Sequence, residues 1–497
     1  MKIKGNIKKS LKIKRKNIEA GRPIIFLHEK TAQALQIAVG ERALVEFEGK
    51  KIVAIVDRID ELSSSEIIIS KELQVLLSPK THYLTISRAP YPKSLPYILK
   101  KMHGLHLQKE ELKAIMEDIT QNALVEAEVA YFVSAVYERG MTFDETLFLT
   151  EAVFSTGAKL NWGKKEVADK HCIGGIAGNR TTPLVVSICA AAGITIPKTS
   201  SRAITSAAGT ADVMETLTRV DLSARELQAV VRKTGACLAW GGSLGLAPAD
   251  DKLIRVERLL NVDPEAQLIA SILAKKIAAG SRNVLIDIPY GFGAKVSYGE
   301  AKALGKQFIA VGKKFNLRIK ILLTDGSQPI GNGVGPNLEM RDVLSVLNRN
   351  DSPQDLETKA LLLAGTLLEM TGKAKKGQGK RLAKDILYSG KALRKFEEII
   401  TAQGKKENDL RPGKYSFKIV SSFSGKIKSI DNKGINHAAL LLGCPSEKEA
   451  GIFLLKHVNA QCEKAEPLAI LYSESLSKLE EAKEFWKTQP PITFTRH

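Results

Sequence analysis

Asp169-Lys170-His171-Cys172-Ile173-Gly174-Gly175-Ile176-Ala177-Gly178-Asn179-Arg180-Thr181-Thr182 is the densest run of chemistry-bearing residues in the chain. It turns through three glycines and opens into the apolar segment Thr181–Ala192. Glycine lets the backbone turn tightly and lets a ligand come close to it. The helix predicted after the loop offers unpaired N–H groups and a positive dipole end to an anion. Lys170 supplies a cation, and Thr181 and Thr182 supply hydroxyls. The stretch therefore predicts a phosphate cradle, although its spacing is neither that of a P-loop nor of a dinucleotide fingerprint.

Working outward, the segment from Lys198 to Glu215 holds six hydroxyl residues, two cations and the Gly209-Thr210 turn. That density suits oxyanion binding better than a core strand. Asn283–Asp287 and Arg318–Leu323 are short β-type runs, while Tyr298–Val311 and Asp355–Thr371 have helical spacing. Such alternation predicts an α/β domain with a largely parallel sheet over residues 167–403. Before it, residues 1–90 read as a small β module, closed by the stiff linker Ala89-Pro90-Tyr91-Pro92. Residues 91–166 read as a helical domain, with helices over Asp118–Arg139 and Thr142–Thr156, the second capped by Thr142 with Glu145. Residues 404–497 read as an α+β domain. In it Tyr415–Ser421 and Lys426–Ile430 make a hairpin-like pair around Gly425, followed by a strand Pro467–Tyr472 and a helix Leu476–Trp486. The run Lys373–Lys380 reads as an exposed loop or a domain joint. The whole is a multidomain α/β chain.

The chain has 497 residues, 44% hydrophobic and 26% charged, which excludes a wholly disordered or collagenous protein. Its five cysteines have neither CxxC nor Cys/His ligand spacing, so a zinc ribbon is excluded and a reducing, cytoplasmic location is expected. The net charge of +20 fits a basic protein, an anionic substrate or nucleic acid. Eight Lys/Arg fall within Met1–Lys16, yet Ile3, Ile7, Leu11 and Ile13 alternate with them, as in a strand with a solvated face. No RNP or KH pattern is present, so nucleic acid is not the expected partner. No apolar stretch reaches the length of a membrane span, and no secretory signal opens the chain, so no membrane partner is expected.

The motifs Lys170-His171-x-x-Gly174-Gly175 and Ser201-Arg202-Ala203-Ile204-x-x-x-x-Gly209-Thr210-x-Asp212-x-x-Glu215 together resemble the signature of the thymidine and pyrimidine-nucleoside phosphorylase family. Leu246-Ala247-Pro248-Ala249-Asp250, Ala270-Ser271-Ile272-Leu273-Ala274-Lys275-Lys276 and Leu322-Leu323-Thr324-Asp325 with Gln328 extend the likeness over roughly residues 95 to 497. The extra N-terminal module resembles the branch containing archaeal AMP phosphorylases and their bacterial relatives.

The resemblance implies a homodimer in which the helical domain is discontinuous, residues 249–276 returning to it. Phosphate would bind on the α/β side and the nucleobase on the helical side. It implies phosphate ligands at Lys170, Cys172, Gly175, Thr182, Ser200, Ser201 and Thr210. Cys172 stands where the family commonly has serine. Substrate contacts fall to Arg202, Ser206, Ser271, Lys275, Lys295 and an arginine, where spacing leaves Arg255 and Arg258 open and Arg258 is the candidate. His171, or in the AMP branch Asp263 of Val262-Asp263-Pro264, would assist departure of the base, with Lys170 orienting the nucleophile. The activity implied is phosphorolysis of a thymidine-type nucleoside to free base and sugar 1-phosphate, a pentosyl transfer. AMP phosphorolysis is the alternative, with a phosphoribosyltransferase behind it. Orthophosphate is a co-substrate, and no metal or organic cofactor is expected.

Overall fold

The computed structural model describes residues 7–163, 166–203 and 206–495. Ile204 and Thr205 of the second motif, and the start of the basic N-terminal run, lie outside these. The chain divides into two units, Met1–Thr156 with Ala249–Pro264, and Gly157–Pro248 with Glu265–His497.

In the first unit, β1 (Lys8–Ile13), β2 (Ile24–Leu27), β3 (Arg42–Phe47), β4 (Lys50–Arg58), β5 (Glu66–Ile69) and β6 (Tyr83–Arg88) close into a barrel in the order β1-β5-β2-β4-β3-β6. Alternation drives it: Ala43, Val45 and Phe47 of β3 turn inward to meet Ile25, Val56, Ile67 and Ile86. The basic N-terminal run is a barrel strand over its described part. Leu11 is buried, and Lys8 reaches Glu46 at 2.6 Å. Two short helices also belong to this module, α1 (Glu29–Leu35), which His28 caps, and α2 (Lys71–Gln74).

The bundle of the same unit comprises α3 (Leu95–Met102), α4 (Lys109–Thr120), α5 (Glu126–Arg139) and α6 (Phe143–Ser155). The single helix read over Asp118–Arg139 is two helices. Asn122 adopts φ 58°, a left-handed conformation that stops α4, and Glu128 bonds back to the Val125 N–H to start α5. Thr142 and Glu145 cap α6 reciprocally, as their spacing predicts. The helix Pro248–Leu260 joins from later in the chain. Its Lys252 ammonium donates to the Ile119 and Thr120 carbonyls at 2.8 Å, neutralising the negative end of α4.

In the second unit the chain forms β7 (Ala168–Cys172), α7 (Thr181–Ala191), β8 (Ile196–Ser200), α8 (Thr210–Met214), α9 (Ala224–Thr234) and β9 (Ala236–Trp240). After the returning helix α10 (Pro248–Leu260) come α11 (Glu265–Ala278), β10 (Asn283–Tyr290), α12 (Tyr298–Lys314) and β11 (Arg318–Asp325). The strands β11-β10-β7 and β8-β9 are parallel, and a parallel bridge, Val167–Thr195, joins the two sets. Of the segment 249–276, Ala249–Pro264 groups with the first unit. From Glu265 onward α11 belongs to the α/β unit, where its Lys276 is held by Asp169 of β7.

Next follow β12 (Gly333–Val334), α13 (Pro336–Asn348), α14 (Gln354–Met370), α15 (Gly379–Tyr388) and α16 (Lys391–Ala402). With α7, buried all round, α14 and α16 build the main apolar core. Lys373–Lys380 lies at the turn between α14 and α15 and is no domain joint. A Cβ on Gly379 would sit 2.0 Å from the Gly365 carbonyl oxygen, so the two helices pack backbone to backbone.

The C-terminal part adds β13 (Tyr415–Val420), β14 (Gly425–Ile430), α17 (Asn432–Leu442), β15 (Gly451–Leu454), β16 (Gln461–Cys462), β17 (Pro467–Ser473), α18 (Leu476–Thr488) and β18 (Ile492–Thr495). β13 and β14 are not a hairpin. β13 is paired along its length with β17, while Ile427 and Ile430 take β14 into the core with α17, where it pairs with β16 and β18. No helix among the described residues is long and apolar enough to cross a membrane.

Candidate active site

Alternation along β7 sends Lys170 and Cys172 to one face of the sheet and Asp169 and His171 to the other. On the first face, Lys170 is 2% exposed, and its ammonium donates to the Thr181 hydroxyl at 2.8 Å, with the Thr182 hydroxyl at 3.5 Å. Both threonines open α7, where backbone N–H groups lack helical partners. Burial pushes the Lys170 pKa down, against the pull of neighbouring Asp287. Asp287 is itself held by Lys359 at 3.1 Å and by the Thr324 hydroxyl at 2.6 Å. Burial, with Asp287, pushes the Cys172 thiol up, so it stands as a weak S–H donor.

The second polar segment lies beside this loop. Arg180 donates to the Thr210 hydroxyl at 2.8 Å, the Ala208 carbonyl at 2.8 Å and the Glu339 carboxylate at 2.6 Å. The Ser200 hydroxyl, at the end of β8, is buried without a hydrogen-bond partner. An unsatisfied buried hydroxyl is costly unless a ligand completes it. One ammonium, of Lys170, and four hydroxyls, of Thr181, Thr182, Thr210 and Ser200, thus stand on adjoining segments. Lys295, exposed, crosses the loop: a Cβ on Gly175, where φ is +90°, would lie 2.7 Å from its Cγ. Gly175 is the residue that lets the lysine stem pass.

On the other face α11 brings Ser271 and Lys275 one turn apart, with Nζ 3.4 Å from Oγ. Asp169, fully buried, has Lys276 at 2.6 Å and Lys198 at 3.2 Å. Burial drives the His171 pKa well below its ordinary value, and the charges of Lys276, Lys198, Lys275 and Lys170 drive it further. Both effects favour the uncharged imidazole.

Other expected ligands are engaged elsewhere. Arg202 grips Glu215 through both terminal nitrogens, at 2.8 and 2.7 Å, reaches Asp212 at 3.1 Å and stacks on Trp240. It braces the segment, because a guanidinium fork matched to a carboxylate is satisfied there. The Ser206 hydroxyl donates to the Ala208 carbonyl at 3.0 Å, and Ser201 is exposed. Arg258 and Asp263 belong to the first unit, both exposed, at the last turn of α10 and just before Pro264. Arg255 donates to the Gly21 carbonyl of the barrel at 2.5 Å.

Sequence reasoning assigned no role to Asp169, Arg180, Lys276, Asp287 or Lys359, and it read Lys198 as a cation for an oxyanion, whereas the structure pairs it with Asp169. Asp169 and Arg180 lie inside the opening motif, and Lys276 follows Lys275, so adjacency was their signal. Asp287 and Lys359 gave none. Among the described residues no group of three or more His, Cys, Asp and Glu is placed to hold a metal ion.

The sequence places the chain among the glycosyltransferases. Residues 95–157 match the helical bundle domain of the glycosyl transferase family and residues 164–393 its a/b domain. Residues 426–492 match the pyrimidine nucleoside phosphorylase C-terminal domain. The chain belongs to the pyrimidine nucleoside phosphorylase family, a pentosyltransferase family. It is 43% identical over 476 residues to a protein of Methanocaldococcus jannaschii named AMP phosphorylase, covering 94% of each chain. It is 44% identical to one of Pyrococcus furiosus with the same name, covering 97% of each. A Ralstonia nicotianae protein named "Putative thymidine phosphorylase" is 46% identical, over 85% of this chain and 83% of that one. Among solved structures, the anthranilate phosphoribosyltransferase of Thermus thermophilus shares the fold at 18% identity, with a TM-score of 0.52 over 62% of this chain and 98% of that one.

Proposed function

We propose that the chain phosphorolyses a nucleoside 5′-monophosphate. Orthophosphate attacks C1′, the glycosidic C–N bond breaks, and the base leaves with its electron pair and takes a proton. The observation that carries this reading is the pair of cations on one glycine turn. The ammonium of Lys170, from β7, is buried against the start of α7, and Lys295 lies exposed across Gly175. A nucleoside needs one anion site, for the attacking phosphate. A nucleotide needs two, and a second cation within reach of the same loop supplies the other. The near full-length likeness to two proteins named AMP phosphorylase supports it.

Lys170 and the hydroxyls of Thr181, Thr182, Ser200 and Thr210 orient the nucleophile, so the entropy of bringing two anionic partners together is met in advance. Neutral His171 and Lys275 present donors where negative charge builds on the departing base. A second reading, phosphorolysis of a pyrimidine nucleoside, is favoured by the Ser271–Lys275 pair, which offers two donors to ring carbonyl oxygens. The test is a side-by-side measurement of phosphate-dependent base release from AMP, CMP, UMP, thymidine and uridine. A monophosphate is expected to exceed thymidine by about tenfold or more in kcat/KM, roughly 1.4 kcal/mol of transition-state binding. Faster thymidine or uridine turnover transfers the assignment to the second reading.

A further inference from the structure

We infer that Asn432 and Asn436, four residues apart on α17, are positioning residues for the anion site: a one-turn ruler that fixes the glycine loop before α7 against the segment leading into α8. Their bearing on catalysis rests on the phosphorolysis reading.

Hydrogen bonding is the first ground. The Asn432 amide oxygen accepts from the Ala177 N–H at 3.0 Å, and its amide nitrogen donates to the Gly326 carbonyl at 3.0 Å. The Asn436 amide oxygen accepts from the Ala207 N–H at 3.0 Å. All three backbone groups lie in irregular stretches, where no helix or strand ladder serves them. A buried N–H left unpaired there is costly. Ala177 stands four residues before Thr181, and Ala207 three before Thr210. Residues four apart on a helix lie one above the other. The two loop N–H groups are therefore held at a separation set by helix geometry rather than by the loops.

Packing is the second ground. Ala177 and Ala207 are both buried, and they share one apolar core with Ile435, Ala438 and Ala439 of α17. The other buried members of that core, Val334 apart, fall between Ile419 and Ile492. Each anion-side segment thus sends one alanine into the C-terminal part. The Ala177 carbonyl is tied as well, accepting from the Ile330 N–H at 3.1 Å. The turn before Lys295 abuts the same helix end, since a Cβ on Gly293 would lie 3.4 Å from the Asp431 carboxylate. An apolar side chain would fill this core and suit a helix better than asparagine. What asparagine adds is an amide that meets the backbone of two loops, and those loops lead to Thr181, Thr182 and Thr210. An anion bound to both segments feels the loss of that amide before the fold does.

The test is titration calorimetry of orthophosphate into the full-length chain, for the wild type, Asn436→Ala, Asn432→Ala and Leu442→Ala. The last empties the same core at the other end of α17 and serves as the stability control. The dissociation constant is expected to rise about tenfold or more in each asparagine variant, and to stay within about twofold of the wild type in Leu442→Ala, although that variant melts lower. In turnover, KM for phosphate is expected to carry most of the change, with kcat at saturating phosphate falling less. Wild-type phosphate affinity in a folded Asn436→Ala, or an equal loss in Leu442→Ala, overturns the inference. If neither asparagine variant folds, hydrogen exchange of the wild-type chain decides. The Ala177 and Ala207 amides are expected to exchange as slowly as the buried amides of α17, and exchange about a hundredfold faster overturns the inference. Calorimetry needs no nucleoside. A phosphate defect confined to the asparagine variants, in a chain that releases base from no nucleoside or nucleotide, would therefore retire the phosphorolysis reading and uphold the ruler.

Discussion

Lys170 shows how one side chain is set by its surroundings. Its stem is enclosed by the core, and its ammonium is left with threonine hydroxyls at the mouth of α7 as direct partners. An orthophosphate oxygen is a stronger partner than a hydroxyl, because the bond is charge-assisted on both sides. Lys170→Ala removes that contact from ground and transition states alike, and most from the latter. The expected loss is about 2–4 kcal/mol, roughly 30- to 1000-fold in kcat/KM for phosphate. Initial rates at varied phosphate, with thermal melting to confirm the fold, check it; unchanged phosphate kinetics would remove Lys170 from the site. Lys170, His171, Ser271 and Lys275 were legible because their motifs carry them. The engagement of Arg202 by Glu215 and Asp212 was not, since a cation between hydroxyls reads the same whichever anion it meets.

At the scale of elements, the glycine turn before α7 and the cap of α6 make contrasting cases. Gly175 combines φ +90° with the Lys295 stem 2.7 Å from where a Cβ would stand. Gly175→Ala strains the turn by on the order of 1–2 kcal/mol and displaces Lys295. Activity on a monophosphate is expected to fall more than activity on a nucleoside, a ratio that paired kinetics reads directly. In α6, Glu145 is 1% exposed and is bonded to Lys101 at 2.7 Å and to the Leu107 and Thr142 N–H groups at 2.9 Å. Burial works to raise its pKa, but these donors outweigh it and hold the carboxyl at about 2, below the ordinary 4.5. A carboxyl depressed in the folded state stabilises the fold above its unfolded pKa and loses that contribution as pH falls toward 2. Urea midpoints should therefore drop between pH 5 and 3. Glu145→Gln should flatten that drop and, by stranding buried Lys101, destabilise the fold by about 3–5 kcal/mol at pH 7.

At the scale of the whole molecule, the assigned chemistry uses ammonium groups, hydroxyls and one imidazole. Dialysis against EDTA is accordingly expected to leave the rate of phosphorolysis unchanged; loss of rate, restored by one divalent ion, would show that a metal takes part. The order of the parts along the chain was legible, because each is announced by a change in periodicity, from alternation in the barrel to helical spacing after Pro92. Where α11 belongs was not. Residues 265–276 have the composition of a bundle helix, and the buried pair with Asp169, together with contacts to α12 such as Gln307 with Glu265, groups them with the second unit.

The sequence by itself determined what lies within a few turns of backbone: the glycine loop feeding α7, the reciprocal cap of α6, the alternating barrel strands and the Ser271–Lys275 pair on one helical face. Spacing encodes these because dihedral preference and helical or strand period act locally. Tertiary structure decided which charges meet. Asp169 took Lys276, 107 residues downstream, as well as Lys198. Asp287 took Lys359, and β13 took β17 in place of its neighbour β14. Such partners are selected by which groups are desolvated together when elements pack, and the energy of an ion pair depends on that shared burial, which no one-dimensional spacing records.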